Sequence, residues 1–287
     1  MFSTSIGLLL AHLAAYIILP LIPGIIAARI IIDDRLRGWL YYIMSWFLGV
    51  GVLSCGLFLL QFVRFGIDRL AYLILVVALV IILIIRIALT KITRKALRKT
   101  LRVSCKCDVR KGKNKSHKII TVLLALYILI FAAVTFFFVT HLPSYADDSF
   151  GNRHLPVVNI LYDGGVHIFG ELGNILGRGR MGYPIMIPTM QAFISGALGG
   201  YNDIYINLFP RLSTILFCLF IGIYVYKKKQ NFLLSLIGPA LIISLPLIFT
   251  HTTQGYMDLL SALYTALAVV AFFERLHEGS SRDDFLL

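Results

Sequence analysis

Long uncharged apolar runs alternate with shorter polar segments along this chain of 287 residues. Several runs approach the roughly 20 residues that a helix needs to cross the hydrocarbon core of a bilayer. The pattern predicts an all-α integral membrane protein with about seven transmembrane helices. They are predicted over residues 6–29, 38–63, 69–89, 119–140, 205–226, 231–250 and 256–273.

The polar segments divide the chain into three parts. Residues 1–90 contain three predicted spans, residues 91–118 form a basic cytosolic linker, and residues 119–287 contain the other four spans. This last part includes a long extracytoplasmic loop, 141–204, in which we expect short juxtamembrane helices. One uncharged stretch of the loop, 184–200, contains prolines and glycines that favour a short interfacial or re-entrant helix over a crossing.

Composition and charge narrow the class of protein. A hydrophobic content of 59% exceeds what a soluble domain can bury. The net charge of +13 is concentrated, since residues 86–118 carry 13 of the 27 Lys and Arg. With the N-terminus outside, 21 of the 27 face the cytosol and 6 face outward. This bias agrees with the positive-inside rule and argues against nucleic-acid binding. We expect an integral protein of the plasma (inner) membrane.

The outward loop contains the candidate chemistry. An acidic pair, Asp147 and Asp148, follows the fourth predicted span. Neighbouring side chains point in different directions, so we expect one carboxylate to face a substrate while the other holds a metal, caps a helix or orients its neighbour. An acidic pair alone also fits a solvated loop. The same loop contains the further candidates Arg153, His154, His167, Arg178 and Arg180.

Two charged residues occupy the outer ends of short predicted spans. Arg211 begins the fifth span, where its guanidinium is expected near the interface, either snorkelling or binding an anion. Asp258 lies near the start of the seventh span, where it marks a functional cavity or simply favours the helix dipole. Acids and arginines on one face of the membrane suggest chemistry on a lipid phosphate.

The order of these residues resembles the GT-C superfamily, the membrane glycosyltransferases of the polyprenyl-phosphate-sugar-dependent mannosyltransferase and aminoarabinose-transferase type. The matching positions of the loop are Asp147, Asp148, His154, Leu155, Pro156, Leu161, Tyr162 and Gly165, followed by Tyr183, Pro184, Pro188, Leu198 and Gly199. Further matches are Pro210, Arg211 and Leu212, and then Gly255, Tyr256 and Asp258. The resemblance covers about residues 119–276. Family members generally have more helices, so it implies a partial or truncated enzyme.

The resemblance implies transfer of a sugar from a polyprenyl phosphate to an acceptor on the extracytoplasmic face. Asp147 or Asp148 would be the general base, and the arginines Arg153, Arg178, Arg180 and Arg211, with His154, would bind the substrate. Asp258 would shape the site or, with the acidic pair, hold a divalent cation, although the sequence does not establish a metal. The donor sugar and the acceptor are not specified by the sequence.

Two alternatives of a different class stay open. A transporter or flippase subunit would also carry charges on its outer face, but its ionisable groups should line the spans near the membrane midplane. The nearly uncharged mid-span positions favour the enzyme. An assembly subunit without catalytic activity is the second alternative.

Overall fold

The computed structural model of the chain is all-helical, with short connections and no strand among the residues that it describes. The described residues are 6–31, 38–62, 69–97, 116–141, 157–158, 186–254 and 257–279. The helices are α1 (Ile6–Ile31), α2 (Trp39–Phe62), α3 (Arg69–Leu97), α4 (Ser116–His141), α5 (Met186–Ala197), α6 (Asp203–Ile206), α7 (Leu208–Lys229), α8 (Phe232–Ser244), α9 (Pro246–Gln254) and α10 (Met257–Gly279).

Four helical segments among the described residues are long and apolar enough to cross a membrane. They are Ile6–Ile31, Trp39–Leu60, Arg69–Ala88 and Ile204–Lys229, and α8 with α9 makes a fifth if this bent pair is one span. Val122–Phe137 in α4 and Asp258–Phe272 in α10 are shorter apolar helices. The structure therefore supports four or five of the seven predicted spans by length and composition. The full number stays a prediction.

Two prolines lie inside α1, and each removes one backbone donor from the helix. Pro20 has no N–H for the carbonyl of Tyr16, and the indole Nε1 of Trp46 in α2 donates to that oxygen instead, at 2.8 Å. Pro23 acts in the same way on Leu19, whose carbonyl accepts from the Tyr72 hydroxyl of α3 at 3.1 Å. Side chains of two neighbouring helices thus replace the amides that the prolines lack.

Two glycines bring the backbones of α1 and α2 into direct contact. A methyl group at Gly24 would overlap the carbonyl oxygen of Ser45, and a methyl group at Gly49 would overlap that of Pro20. Small residues at a helix crossing permit this close approach, which favours association of helices within lipid. The crossing also brings Trp46 within reach of α1.

The sixth predicted span, 231–250, is broken in the structure. Helix α8 ends at Ser244, α9 begins at Pro246, and the two are bent by 70°. Leu245 between them is extended, with φ −73° and ψ 117°, because a residue that precedes proline avoids helical angles. Pro239 lies inside α8 without ending it. The sequence pattern missed the break because both halves are apolar.

The broken span returns along the full length of α7. Near its start, a methyl group at Gly222 would lie 3.1 Å from the carbonyl oxygen of Ser235. Near its end, Thr252 Oγ1 lies 3.0 Å from Thr214 Oγ1. Because α7 runs from the Arg211 end to Lys229, the pair α8–α9 travels back to the Arg211 end and is not a loop that turns round halfway.

Basic residues of three helices gather at the opposite end of the bundle. Arg86 of α3 donates from Nη1 to the carbonyl of Arg29 at the end of α1. Gly38 lies just before α2. A methyl group added at Gly38 would be 4.0 Å from Lys227 Nζ, so these two residues are neighbours. The arrangement agrees with the predicted grouping of Arg29, Arg86 and Lys227 on one side of the membrane.

The predicted loop 141–204 contains one described helix of substantial length. Helix α5 has 12 residues, a length of about 18 Å, which is shorter than the roughly 30 Å hydrocarbon core. Its residues 188–195 are buried, and Phe193 stacks on Tyr72 with ring centroids 5.5 Å apart. A short element that does not span the membrane alone was predicted here. Its burial shows that it packs against the other helices, and the interfacial and re-entrant forms both stay predictions.

Candidate functional site

Arg211 is the described candidate residue with the most extensive contacts. It lies in the first turn of α7 with 0% of its side chain exposed. Its Nε donates to the carbonyl of Thr135 in α4 at 2.8 Å, and its Nη2 donates to that of Thr253 in α9 at 2.8 Å. Its Nη1 donates to the carbonyl of Asn207. The planar fork of a guanidinium thus joins α4, α7 and α9.

Two side chains hold the short segment that precedes α7. The side chain of Asn202 accepts hydrogen bonds from the amides of Ile204 and Tyr205, which caps α6. Pro210 cannot donate to the carbonyl of Ile206, and Gln191 Nε2 of α5 donates there at 3.3 Å. These contacts fix the turn that delivers Arg211 into the bundle.

The contacts of Arg211 bring distant parts of the chain to one end of the bundle. Helix α4 ends at His141, and Asp147 follows six residues later in the sequence. Asp258 likewise follows Thr253 by five residues in the sequence. Arg211 is therefore positioned between the two segments that lead to the predicted carboxylates.

The burial of Arg211 contradicts the expectation that its side chain could snorkel to the membrane interface. A snorkelling side chain would be exposed at the membrane interface, whereas this one is enclosed and bonded to three carbonyl oxygens. Snorkelling is therefore wrong. The predicted contact with a phosphate stays a prediction.

Asp258 lies in the first turn of α10, and its side chain is exposed. A carboxylate at this position is favoured by the helix dipole. The other candidates, Asp147, Asp148, Arg153, His154, His167, Arg178 and Arg180, lie outside the described residues. Among the residues that the structure describes, no group of three or more His, Cys, Asp or Glu is placed to hold a metal ion.

A buried polar cluster near this end was missed by sequence reasoning. The imidazole of His12 in α1 stacks on the ring of Tyr205 in α6, with centroids 4.3 Å apart, and both side chains are buried. His12 Nδ1 lies 2.9 Å from the carbonyl of Leu8. Within the described part of the chain, His12 Nε2, the Tyr205 hydroxyl and Gln191 Oε1 have no hydrogen-bond partner. The sequence signal for this cluster was His12, a single histidine within an apolar run.

No family model matches the chain, and neither a curated protein nor a solved structure matches it.

Proposed function

We propose that this chain is a membrane glycosyltransferase that moves a sugar from a polyprenyl-phosphate donor to an acceptor on the extracytoplasmic face. The observation that carries the proposal is the position of Arg211. It is hydrogen-bonded both to the helix that leads to Asp147 and Asp148 and to the helix that leads to Asp258. The candidate residues of the resemblance are separated in sequence, and their flanking segments meet at one end of the bundle.

The chemistry follows from the residue types. The oxygen of the acceptor hydroxyl attacks the anomeric carbon, and one carboxylate of the acidic pair removes the proton from that hydroxyl. The bond between that carbon and the phosphate oxygen breaks, and the polyprenyl phosphate leaves with the electron pair. Arginine side chains of the loop stabilise the departing phosphate. Phosphate is a good leaving group, so no general acid is needed.

Arg211 has two roles in this proposal. Three of its N–H groups hold α4, α7 and α9 together, which fixes the segments on which the carboxylates depend. The positive charge of Arg211 lies at the end of the bundle to which a lipid phosphate would bind, so it also contributes favourable electrostatics there.

Donor binding and sugar transfer are tested separately, because the sequence does not specify the acceptor. The full chain is reconstituted in liposomes with a photoactivatable polyprenyl phosphate, and unlabelled polyprenyl-phosphate sugars compete for crosslinking. A panel of radiolabelled donors then reports cleavage of the sugar from the lipid. Specific crosslinking with cleavage of one donor is expected. Transport of the intact donor across the bilayer would favour a flippase, and the absence of any crosslink in folded protein would contradict the proposal.

A further inference from the structure

An apolar groove of about 550 Å³ lies between α4, α7 and α8. Buried residues, including Cys218, Pro239 and Ile243, form its floor. Leu219, Tyr226 and Phe232 form its rim, and between 43% and 54% of each of these residues is exposed. The groove therefore opens at the surface of the bundle.

The length of the groove along α7 matches the thickness of one leaflet of a bilayer. Its lining extends along α7 from Ile215 to Tyr226, a rise of about 16 Å at roughly 1.5 Å per residue. Half of the hydrocarbon core of a bilayer is about 15 Å thick. Gly222 lies within the groove and has no side chain to fill it. The dimensions suit an extended hydrocarbon chain.

Positive charge surrounds one end of the groove. Tyr226 is followed directly by Lys227, Lys228 and Lys229, and all three lysines are exposed. The rings of Tyr226 and Phe232 meet edge to face at this end, with centroids 6.2 Å apart. Aromatic rings and lysines together mark the level of lipid head groups. The groove thus joins an apolar channel to a cationic mouth.

We propose that this groove binds an anionic phospholipid, with one acyl chain between α4, α7 and α8 and the phosphate near the end of α7, where Lys229 follows the lining residue Tyr226 by three positions and Lys227 and Lys228 add positive charge. This site is separate from the proposed transferase site, because the lysines end α7 and Arg211 begins it. The proposal does not depend on catalysis. By the positive-inside rule the lipid belongs to the cytosolic leaflet.

The charges favour a lipid over a second copy of the chain as the occupant. A symmetric dimer in a membrane has its two-fold axis along the membrane normal, so the two lysine clusters would meet at the same interface. Like charges would then oppose each other, whereas an anionic head group neutralises them.

Native mass spectrometry of the full chain in detergent tests the proposal. The protein is titrated with phosphatidylglycerol or phosphatidylcholine bearing identical acyl chains. Wild-type protein is expected to bind at least one phosphatidylglycerol, about tenfold or more tightly than phosphatidylcholine, because each lysine near a head group contributes a severalfold gain. Equal binding of the two lipids would overturn the proposal.

Two pairs of variants separate the acyl site from the charged mouth. Ala132→Phe fills the groove and is expected to weaken binding of the tightest lipid by about tenfold, because an acyl chain loses its apolar contacts. Ala133→Phe on the exposed side of α4 should leave it unchanged. Changing the three lysines to Gln should remove the preference for phosphatidylglycerol, and changing them to Arg should keep it.

The outcomes distinguish the possible occupants even if one variant misfolds. The lysines are exposed, so their substitution to Gln leaves the folded bundle intact and decides the charge dependence by itself. Lipid retention by folded Ala132→Phe at wild-type strength would overturn the acyl site. A dimer in the wild-type spectrum that Ala132→Phe abolishes would instead assign the groove to a second copy.

Discussion

Trp46 donates a hydrogen bond from its indole Nε1 to the backbone carbonyl of Tyr16, 2.8 Å away and in a different helix. Pro20 lies four residues after Tyr16 and has no amide hydrogen for that carbonyl. The indole is buried, and the contact lies among apolar side chains. The tryptophan therefore takes the place of a helical amide, and the two residues should depend on each other.

A double-mutant cycle should reveal this dependence. Trp46→Phe removes the donor and the larger ring, and we expect a loss of about 2–4 kcal/mol in the free energy of unfolding. Pro20→Ala returns an amide donor to the Tyr16 carbonyl, so Trp46→Phe should cost less in that background, by about 1 kcal/mol. Thermal unfolding in detergent measures all four proteins. Strict additivity would contradict the proposed substitution of one donor for the other.

Gly24 should tolerate no side chain. A methyl group would overlap the Ser45 carbonyl, a backbone atom that moves only if α1 and α2 separate. Gly24→Ala is expected to lower stability by about 1–3 kcal/mol or more, despite the gain in helix propensity. Gly7→Ala is the matched control on the same helix, because no atom lies within 4 Å of the added methyl group. Gly24→Ala should lower the unfolding temperature, whereas Gly7→Ala should not.

Arg211→Lys separates the charge of this residue from the shape of its fork. Lysine keeps the positive charge but cannot donate in three fixed directions to Thr135, Asn207 and Thr253. We expect a loss of about 2–4 kcal/mol in the free energy of unfolding, since hydrogen bonds of charged groups contribute about 1.5–3 kcal/mol each. Arg69→Lys at an exposed position is the control. Equal stability of Arg211→Lys and wild type would show that the fork is not required.

Asp147→Asn or Asp148→Asn should abolish sugar transfer while the protein stays folded. Asparagine keeps the shape of the side chain but cannot accept a proton, and loss of a general base typically lowers a rate by about 10²–10⁴. The two substitutions should differ in severity, because neighbouring side chains cannot both face the acceptor. The other acidic pair supplies matched controls, Asp33→Asn and Asp34→Asn, on the opposite side of the predicted topology. If both Asp147→Asn and Asp148→Asn transferred sugar at the wild-type rate, the acidic pair would have no catalytic role and would belong to a solvated loop.

The two ends of the bundle should label from opposite sides of the membrane. In a cysteine-free background, cysteines at positions 147 and 258 should react with an impermeant reagent added outside, and a cysteine at position 113 should not. The expectation rests on the charge bias of the sequence and on the return of α8–α9 to the Arg211 end. Permeabilised cells provide the control for reactivity at position 113. External labelling at position 113 would invert the topology.

The sequence predicted the long helices well because apolar runs are local signals. The boundaries predicted for α1, α2 and α7 lie within a few residues of those in the structure. The break at Leu245 was missed, since Pro239 and Pro246 look alike in sequence and only one of them ends a helix. The sequence also could not predict the carbonyls to which Arg211 donates, because Thr135 and Thr253 are 76 and 42 residues away. Most of the candidate loop lies outside the described residues, so those assignments rest on the sequence.

The order of the residues in the chain limits when each hydrogen bond of Arg211 can form during synthesis. Thr135 and Asn207 precede Arg211 in the chain, whereas Thr253 is made 42 residues later. At about 5–20 residues per second, the ribosome needs roughly 2–8 s to reach it. The guanidinium can therefore bind α4 and its own helix before α9 exists. The bond to Thr253 must wait for that later segment, and it then joins the end of the broken span to α7.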